Sequence, residues 1–303
     1  MEKAVIQKAS GFIVPNIFAM AVIGATRYLM SDGGSAVFVF SEFVIIPMMM
    51  GILSVWFWRS LELKGRKVAL YACYNCFIAI LLSYVFLREG VICLIIVSPL
   101  LFCFVYLGIF IGRYLFKKSN GTLNISFFTV LLFVFIGDVH SAHIYENEVS
   151  DTILVHAPPA AVWKNVVAFK RITRPNKFWL FNIGLPSPVE STVTGYYKGA
   201  GRKCIFSNGY VFDEVISTYQ PAENLTFDVT NEPKDPEIMN HIDIIRGQFI
   251  LKDNGNGTTT LIGNSWYKLY VFPVWYYDMW AQSVTRNVHL RVMAHIKDLS
   301  ETR

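Results

Sequence analysis

This chain is short of charge. Only 16% of its 303 residues are Asp, Glu, Lys or Arg, against 53% hydrophobic, whereas soluble globular chains carry about 25% charged residues. The shortage is uneven. Up to residue 140 there are 11 Lys/Arg and 6 Asp/Glu, and from 141 onward there are 16 of each. The formal charge of +5 therefore belongs to the first half. The second half has no basic surplus with which to hold nucleic acid or an anionic surface, so nucleic acid is not expected as a partner.

Cysteine is scarce as well. Cys73, Cys76, Cys93 and Cys103 lie in apolar runs and Cys204 stands alone in the second half, so no disulfide framework is implied. The pair in "ACYNC" has the spacing of a redox or metal motif. It lacks a second pair and a nearby His, and reads as small residues in an apolar segment. Hydrolase, metalloprotease, phosphate-loop and zinc signatures are all missing. No cofactor and no metal is expected. His140 and His143 are at most half a metal site, which Asp138 and Glu146 would have to complete; otherwise they belong to a solvated linker. There is no internal repeat of the kind many transporters carry.

Long apolar runs are what the first half has in quantity. Crossing a bilayer takes about 20 such residues. Runs near 11–30, 36–58, 68–87 and 91–116 qualify, and a shorter one at 123–139 makes a fifth. Basic residues cluster after the second run (Arg59, Lys64, Arg66, Lys67) and after the fourth (Arg113, Lys117, Lys118), while the stretch after the fifth is acidic. By the positive-inside rule, five spans put the N-terminus in the cytoplasm and the second half outside the inner membrane. Four spans would leave the second half cytoplasmic. Five is the expectation. Arg27 and Glu42 lie near the ends of the first two runs, where they can pair or snorkel, so transport is the weaker reading of this half.

The expected organisation is a helical membrane domain over 1–140, a linker over 141–149 and a soluble domain over 150–303. In that domain "DTILVHA" alternates as a strand, and Pro158–Pro159 open a short helix carrying Val162, Val166 and Phe169. Asn208–Gly209 marks a hairpin, "NLTFDVT" is a further strand, and two long strands flank "DNGNG". A helix from about Trp275 to Leu299 closes the chain, with an apolar stripe of Trp280, Val284, Val288, Val292, Ile296 and Leu299. Strands followed by one long helix imply an α+β class, a curved antiparallel sheet around that helix. The concave space between them is the default binding site.

The stretches "ILVHAPPAAVWKNVVAF", "WLFNIGLPSPVES", "GAGRKCIFSNG", "RGQFIL", "GNSWY" and "RNVHLRVMAHIKDL" resemble the START/Bet v 1-like (SRPBCC) superfamily. These are the helix-grip domains that include the polyketide cyclase/dehydrase and lipid-transport group. The resemblance covers about 150–300. It is greatest to a bacterial subgroup in which such a domain follows several membrane helices. It implies a cavity for an apolar or amphipathic molecule under the long helix, hence a membrane-anchored module that binds a hydrophobic or lipid-like ligand. A cyclase- or hydrolase-like enzyme using polar residues of the same cavity is the alternative.

Strand alternation puts Arg202, Cys204, Phe206 and Asn208 on one face, Tyr210, Phe212, Glu214 and Ile216 on another, and Arg246 with Gln248 on a third. Pointing inward, Arg202, Glu214 and Arg246 would be buried charges in need of partners; pointing outward, they would be ordinary solvated residues. Both orientations stay open here. Trp179, Phe181, Phe206, Phe227, Trp266, Tyr267 and Trp280 line the space or fill it, and His289 and Arg291 on the long helix reach its mouth. The expected ligand contacts are these aromatics with Arg202, Cys204, Glu214, Arg246, Gln248 and His289. Glu214, Arg202 and His289 are the catalytic candidates. Oligomeric state is not specified by any of these signals.

Overall fold

Four helices are long and apolar enough to cross a membrane: Glu2–Thr26, Ser41–Leu61, Gly65–Leu87 and Val91–Phe116. The computed structural model describes residues 2–29, 40–61, 63–118, 129, 133–134, 136–138, 144–233 and 241–301, without the side chains of 27, 29, 117 and 118. The expected fifth span, 123–139, lies largely outside those residues, as do His140, His143 and the side chain of Arg27. Where five spans were expected, four are therefore found among the described residues. The chain divides into two compact units, Met1–His143 with Tyr270–Pro273, and Ile144–Leu269 with Val274–Arg303.

In the first unit the regular helices are α1 (Glu2–Leu29), α2 (Ile46–Trp58), α3 (Gly65–Leu82) and α4 (Val91–Lys118). Lipid is as apolar as leucine, so membrane helices gain cohesion from close packing and shared hydrogen bonds. Both devices are present. A Cβ on Gly108 would lie 2.0 Å from the Met48 carbonyl oxygen, and one on Gly51 would lie 2.1 Å from that of Val105. Glycine is therefore what lets α2 and α4 touch backbone to backbone. Asn75 ties three helices: it accepts from Asn16 Nδ2 at 2.8 Å and donates to Ser54 Oγ at 2.7 Å, and all three residues are buried. Asp138, on the edge of the expected fifth span, is buried and accepts the Ser41 backbone N–H at 2.6 Å.

The second unit is β1 (Tyr145–Val155), α5 (Pro159–Val166), α6 (Trp179–Asn182), β2 (Pro188–Val193), β3 (Gly201–Phe206), β4 (Val211–Gln220), β5 (Asn224–Asn231), β6 (Ile242–Asp253), β7 (Thr259–Leu269) and α7 (Val274–Glu301). The strands form one sheet in the order β1-β7-β6-β5-β4-β3-β2, every pairing antiparallel. Register shifts in β2–β3, β4–β5 and β6–β7 bend it, as bulges do. β1 begins at Tyr145, so the latter part of the expected linker is already strand. The Asn208–Gly209 turn falls where expected, with Gly209 at φ +86°, the left-handed region that such a turn requires.

Helix α7 lies on the concave face along β1 and β7. At its C-terminal half Val292, Met293 and Ile296 join Val155, Val162, Trp163, Leu225, Phe227, Phe249 and Leu261 in a continuous core. Its N-terminal half differs from the expected stripe. Tyr277, Ala281, Thr285 and His289 are the buried side chains there, while Trp280, Val284 and Val288 are only half-buried. The sheet side of the helix is rotated by about one residue, and it turns polar groups inward.

Candidate functional site

Strand alternation decides which side chains meet α7. On β1 the inward residues are Asn147, Val149, Asp151, Ile153 and Val155, and on β7 they are Leu261, Gly263, Ser265, Tyr267 and Leu269. Both strands thus send polar groups towards the helix. Asp151 and His289 are buried, and Ser265 is half-buried. His289 Nδ1 lies 3.0 Å from Asp151 Oδ2, and its Nε2 lies 2.7 Å from Ser265 Oγ. An ionised carboxylate only accepts, so Nδ1 carries the proton, Nε2 is the basic nitrogen and the Ser265 hydroxyl donates to it. Burial holds the His289 pKa below its ordinary value, against the opposing pull of Asp151, and so keeps the imidazole neutral. Arg286, one turn earlier on α7, bonds the other Asp151 oxygen through Nε at 3.2 Å. That contact offsets part of the cost of burying the carboxylate.

Gly263 makes this approach possible. A Cβ there would stand 2.8 Å from Met293 Sδ and 3.8 Å from His289 Cγ, so the helix rides over a strand that lacks a side chain at the crossing. Three turns towards the start of α7, Asp278 accepts the Tyr267 hydroxyl at 2.6 Å, Asn147 Nδ2 at 3.0 Å and Gln282 Nε2 at 2.7 Å. Burial and the Asp278 carboxylate push the Tyr267 phenol well above its usual range. Tyr267 is therefore a neutral donor.

A second charged group lies further across the sheet. Arg202 on β3 pairs laterally with Glu214 on β4, and their side chains form an ion pair in which both are buried. Arg202 Nε also donates to the Val167 carbonyl at 3.3 Å, and its guanidinium lies 4.3 Å from the centre of the Phe227 ring. Burial pushes the Glu214 carboxyl up, with Arg202 working against it. The neighbouring Cys204 thiol is pushed up to about 12 by the same burial and by Glu214, so it is an inert thiol rather than a nucleophile.

The sequence-predicted residues are thus distributed over several places. Arg202, Cys204, Phe206, Glu214, Phe227, Tyr267 and His289 share the concave face. On α6, Phe181 is buried and Trp179 is exposed. Arg246, Gln248 and Trp266 lie on the opposite, convex face, because their strand neighbours Gly247, Ser265 and Tyr267 point to the helix. There Arg246 pairs with Asp228 at 2.6 Å, and Gln248 joins Asn224, Thr226 and Asn264 in an amide and hydroxyl ladder. That placement takes these three out of the space under α7. Arg291 donates to the Pro188 and Arg174 carbonyls, both at 3.1 Å, and so serves to anchor the helix. Glu146, which the metal reading of His140 and His143 would need as a ligand, is paired with Lys268 at 2.8 Å.

Asp151 and Ser265 were not among the expected site residues. A signal for Asp151 was available, since it alternates in step with Ile153 and Val155 and is therefore an acid on an apolar face. Ser265 carries no comparable signal. Trp280 has a further feature: its indole nitrogen Nε1 is buried and finds no acceptor among the described residues.

No protein-family profile matches this sequence, and no curated protein does. Solved structures similar to about half of the chain are found. The Zhui aromatase/cyclase from Streptomyces sp. R1128 is 12% identical, with 52% of this chain and 96% of that one covered at a TM-score of 0.37. A truncated norcoclaurine synthase from Thalictrum flavum is 8% identical, with 54% and 98% covered at 0.38. An uncharacterised protein from Bacillus thuringiensis is 12% identical, with 50% and 97% covered at 0.35. The second unit is a helix-grip fold. Its strand order and its long C-terminal helix define that fold.

Proposed function

We propose that this chain is a membrane-anchored module of the START/Bet v 1-like kind that binds a hydrophobic or lipid-like small molecule along the inner flank of α7. The observation that carries this is Trp280. Its N–H is buried without an acceptor among the described residues, and a buried donor left unmet costs about 1–3 kcal/mol. On the same flank, one and two turns on, Val284 and Val288 are half-buried. Half-buried Cys204 and Phe206 belong to the same face of the sheet. An apolar strip with one unsatisfied donor suits a molecule with a long apolar part and a carbonyl or hydroxyl oxygen. The four apolar helices support membrane attachment of the whole, and the neutral charge of the second half suits an uncharged ligand body.

The test is photolabelling of the full chain in lipid nanodiscs with a photoreactive long-chain fatty-acid analogue, followed by peptide mapping. Adducts on peptides spanning 201–216 and 274–291, reduced several-fold in Trp280→Phe, are expected. Adducts confined to α1–α4 would mean that the analogue only samples lipid-facing helices, and would remove the binding site.

A further inference from the structure

Asp151, Ser265 and His289 come from β1, β7 and α7, and no sequence motif joins them. Their order is that of a proton relay. The carboxylate is as buried as the imidazole and orients it. The imidazole is buried and uncharged, with its basic nitrogen towards the hydroxyl. Of the three residues Ser265 is the one that is half-buried and not buried. Beside Ser265 the ladder places Gly247 on β6, and the Phe227 ring lies over that glycine, so an apolar wall borders the hydroxyl on that side.

We infer that Ser265, His289 and Asp151 form a nucleophilic site for carboxylic esters with an apolar acyl chain. The inference deepens the binding reading above, because the strip along α7 is what would hold that chain. In the step it performs, Ser265 Oγ forms a bond to the ester carbonyl carbon as its proton passes to His289 Nε2. The carbon–oxygen bond of the ester then breaks, and the departing alkoxide takes that proton and leaves as an alcohol. Water attacks the acyl-serine by the same relay, releasing the carboxylic acid and restoring the hydroxyl. Asp151 keeps the proton on Nδ1 throughout and balances the transient imidazolium. Ser265 sits in mid-strand, where backbone amides are engaged in the ladder and are not free to hold an oxyanion. Turnover is accordingly expected to be modest.

A group that only pins the helix to the sheet would show the same hydrogen bonds but no reactivity. The test uses the full chain in nanodiscs with a long-alkyl fluorophosphonate and with 4-nitrophenyl esters of graded acyl length. A single adduct on the peptide containing Ser265 is expected, together with ester turnover that rises with acyl length. Ser265→Ala should abolish both while fatty-acid photolabelling on α7 persists; its melting temperature should fall by a few degrees, because buried His289 Nε2 loses its donor. Asp151→Asn should lower turnover by at least about 100-fold, by leaving the proton on the wrong nitrogen. Photolabelling on α7 without an adduct or turnover overturns the nucleophilic site and leaves the binding reading intact. Loss of photolabelling on α7 in the parent overturns both. Turnover that survives Ser265→Ala also overturns the assignment.

Discussion

Glu232 shows how one side chain couples this fold to pH. It lies just beyond β5, accepts the backbone N–H of Ile244 and is largely buried, and burial with nearby Asp243 lifts its pKa from 4.5 to about 7. The folded state therefore favours the protonated carboxyl. That contribution is fully present below pH 4.5 and is lost as pH rises through 7. The expected outcome is read from melting temperatures of the full chain and of Glu232→Gln. Above pH 7 the Gln variant should be the more stable, and the gap should close on acidification towards 4.5. Parallel pH profiles would mean that Glu232 titrates alike in both states. His289 has the opposite sign. Its pKa is depressed by burial, so acid favours the unfolded chain, and any ester turnover should have an acid limb below the ordinary imidazole value. The charged groups facing it are Asp151 and, through Asp151, Arg286.

At the scale of elements, the crossing of α2 and α4 depends on glycine. A Cβ on Gly108 would meet backbone, at 2.0 Å from the Met48 oxygen, and backbone cannot swing aside as a side chain can. Gly108→Leu should therefore separate the two helices. Replacing a close-packed glycine in this way costs at least the 1–3 kcal/mol typical of overpacking. The measurement is the temperature at which the detergent-solubilised chain aggregates, with Gly24→Leu as control, since among the described residues nothing lies within 4 Å of a Cβ there. Equal temperatures for both variants would sink the close-packing account. The elements themselves were largely legible in the sequence. Four apolar runs, the Asn208–Gly209 hairpin, the strands around "DNGNG" and the long last helix all appear where local periodicity put them. The rotation of α7 was not legible, because Trp280, Val284 and Val288 form as good a stripe as Tyr277, Ala281 and Thr285. Only the approach of β7, with Gly263 at the crossing, selects between them.

For the whole molecule the charge distribution predicts the side of the membrane on which the second unit lies. The basic residues after the second and fourth runs favour the cytoplasm for those connections, and a fifth span over 123–139 would then put residues 144–301 outside. A single cysteine in place of exposed Tyr197, with the five native cysteines replaced by serine, gives the readout. Labelling of sealed cells by a membrane-impermeant maleimide is the expected outcome. Labelling only after permeabilisation would show four spans and a cytoplasmic domain.

Signals that act within a turn or a strand were sufficient to set the helical half, the alternating strands and the α+β class, because burial period and turn chemistry are local properties. The buried Arg202–Glu214 pair was foreseen as one of two orientations, and register closed that choice. The same register sent Arg246, Gln248 and Trp266 to the convex face, since one step along a strand reverses the side. The meeting of Asp151, Ser265 and His289 belongs wholly to tertiary structure. Asp151 and Gly263 are paired across β1 and β7, and a glycine at that crossing lets α7 come down on the ladder, which no stretch of the chain read by itself could specify.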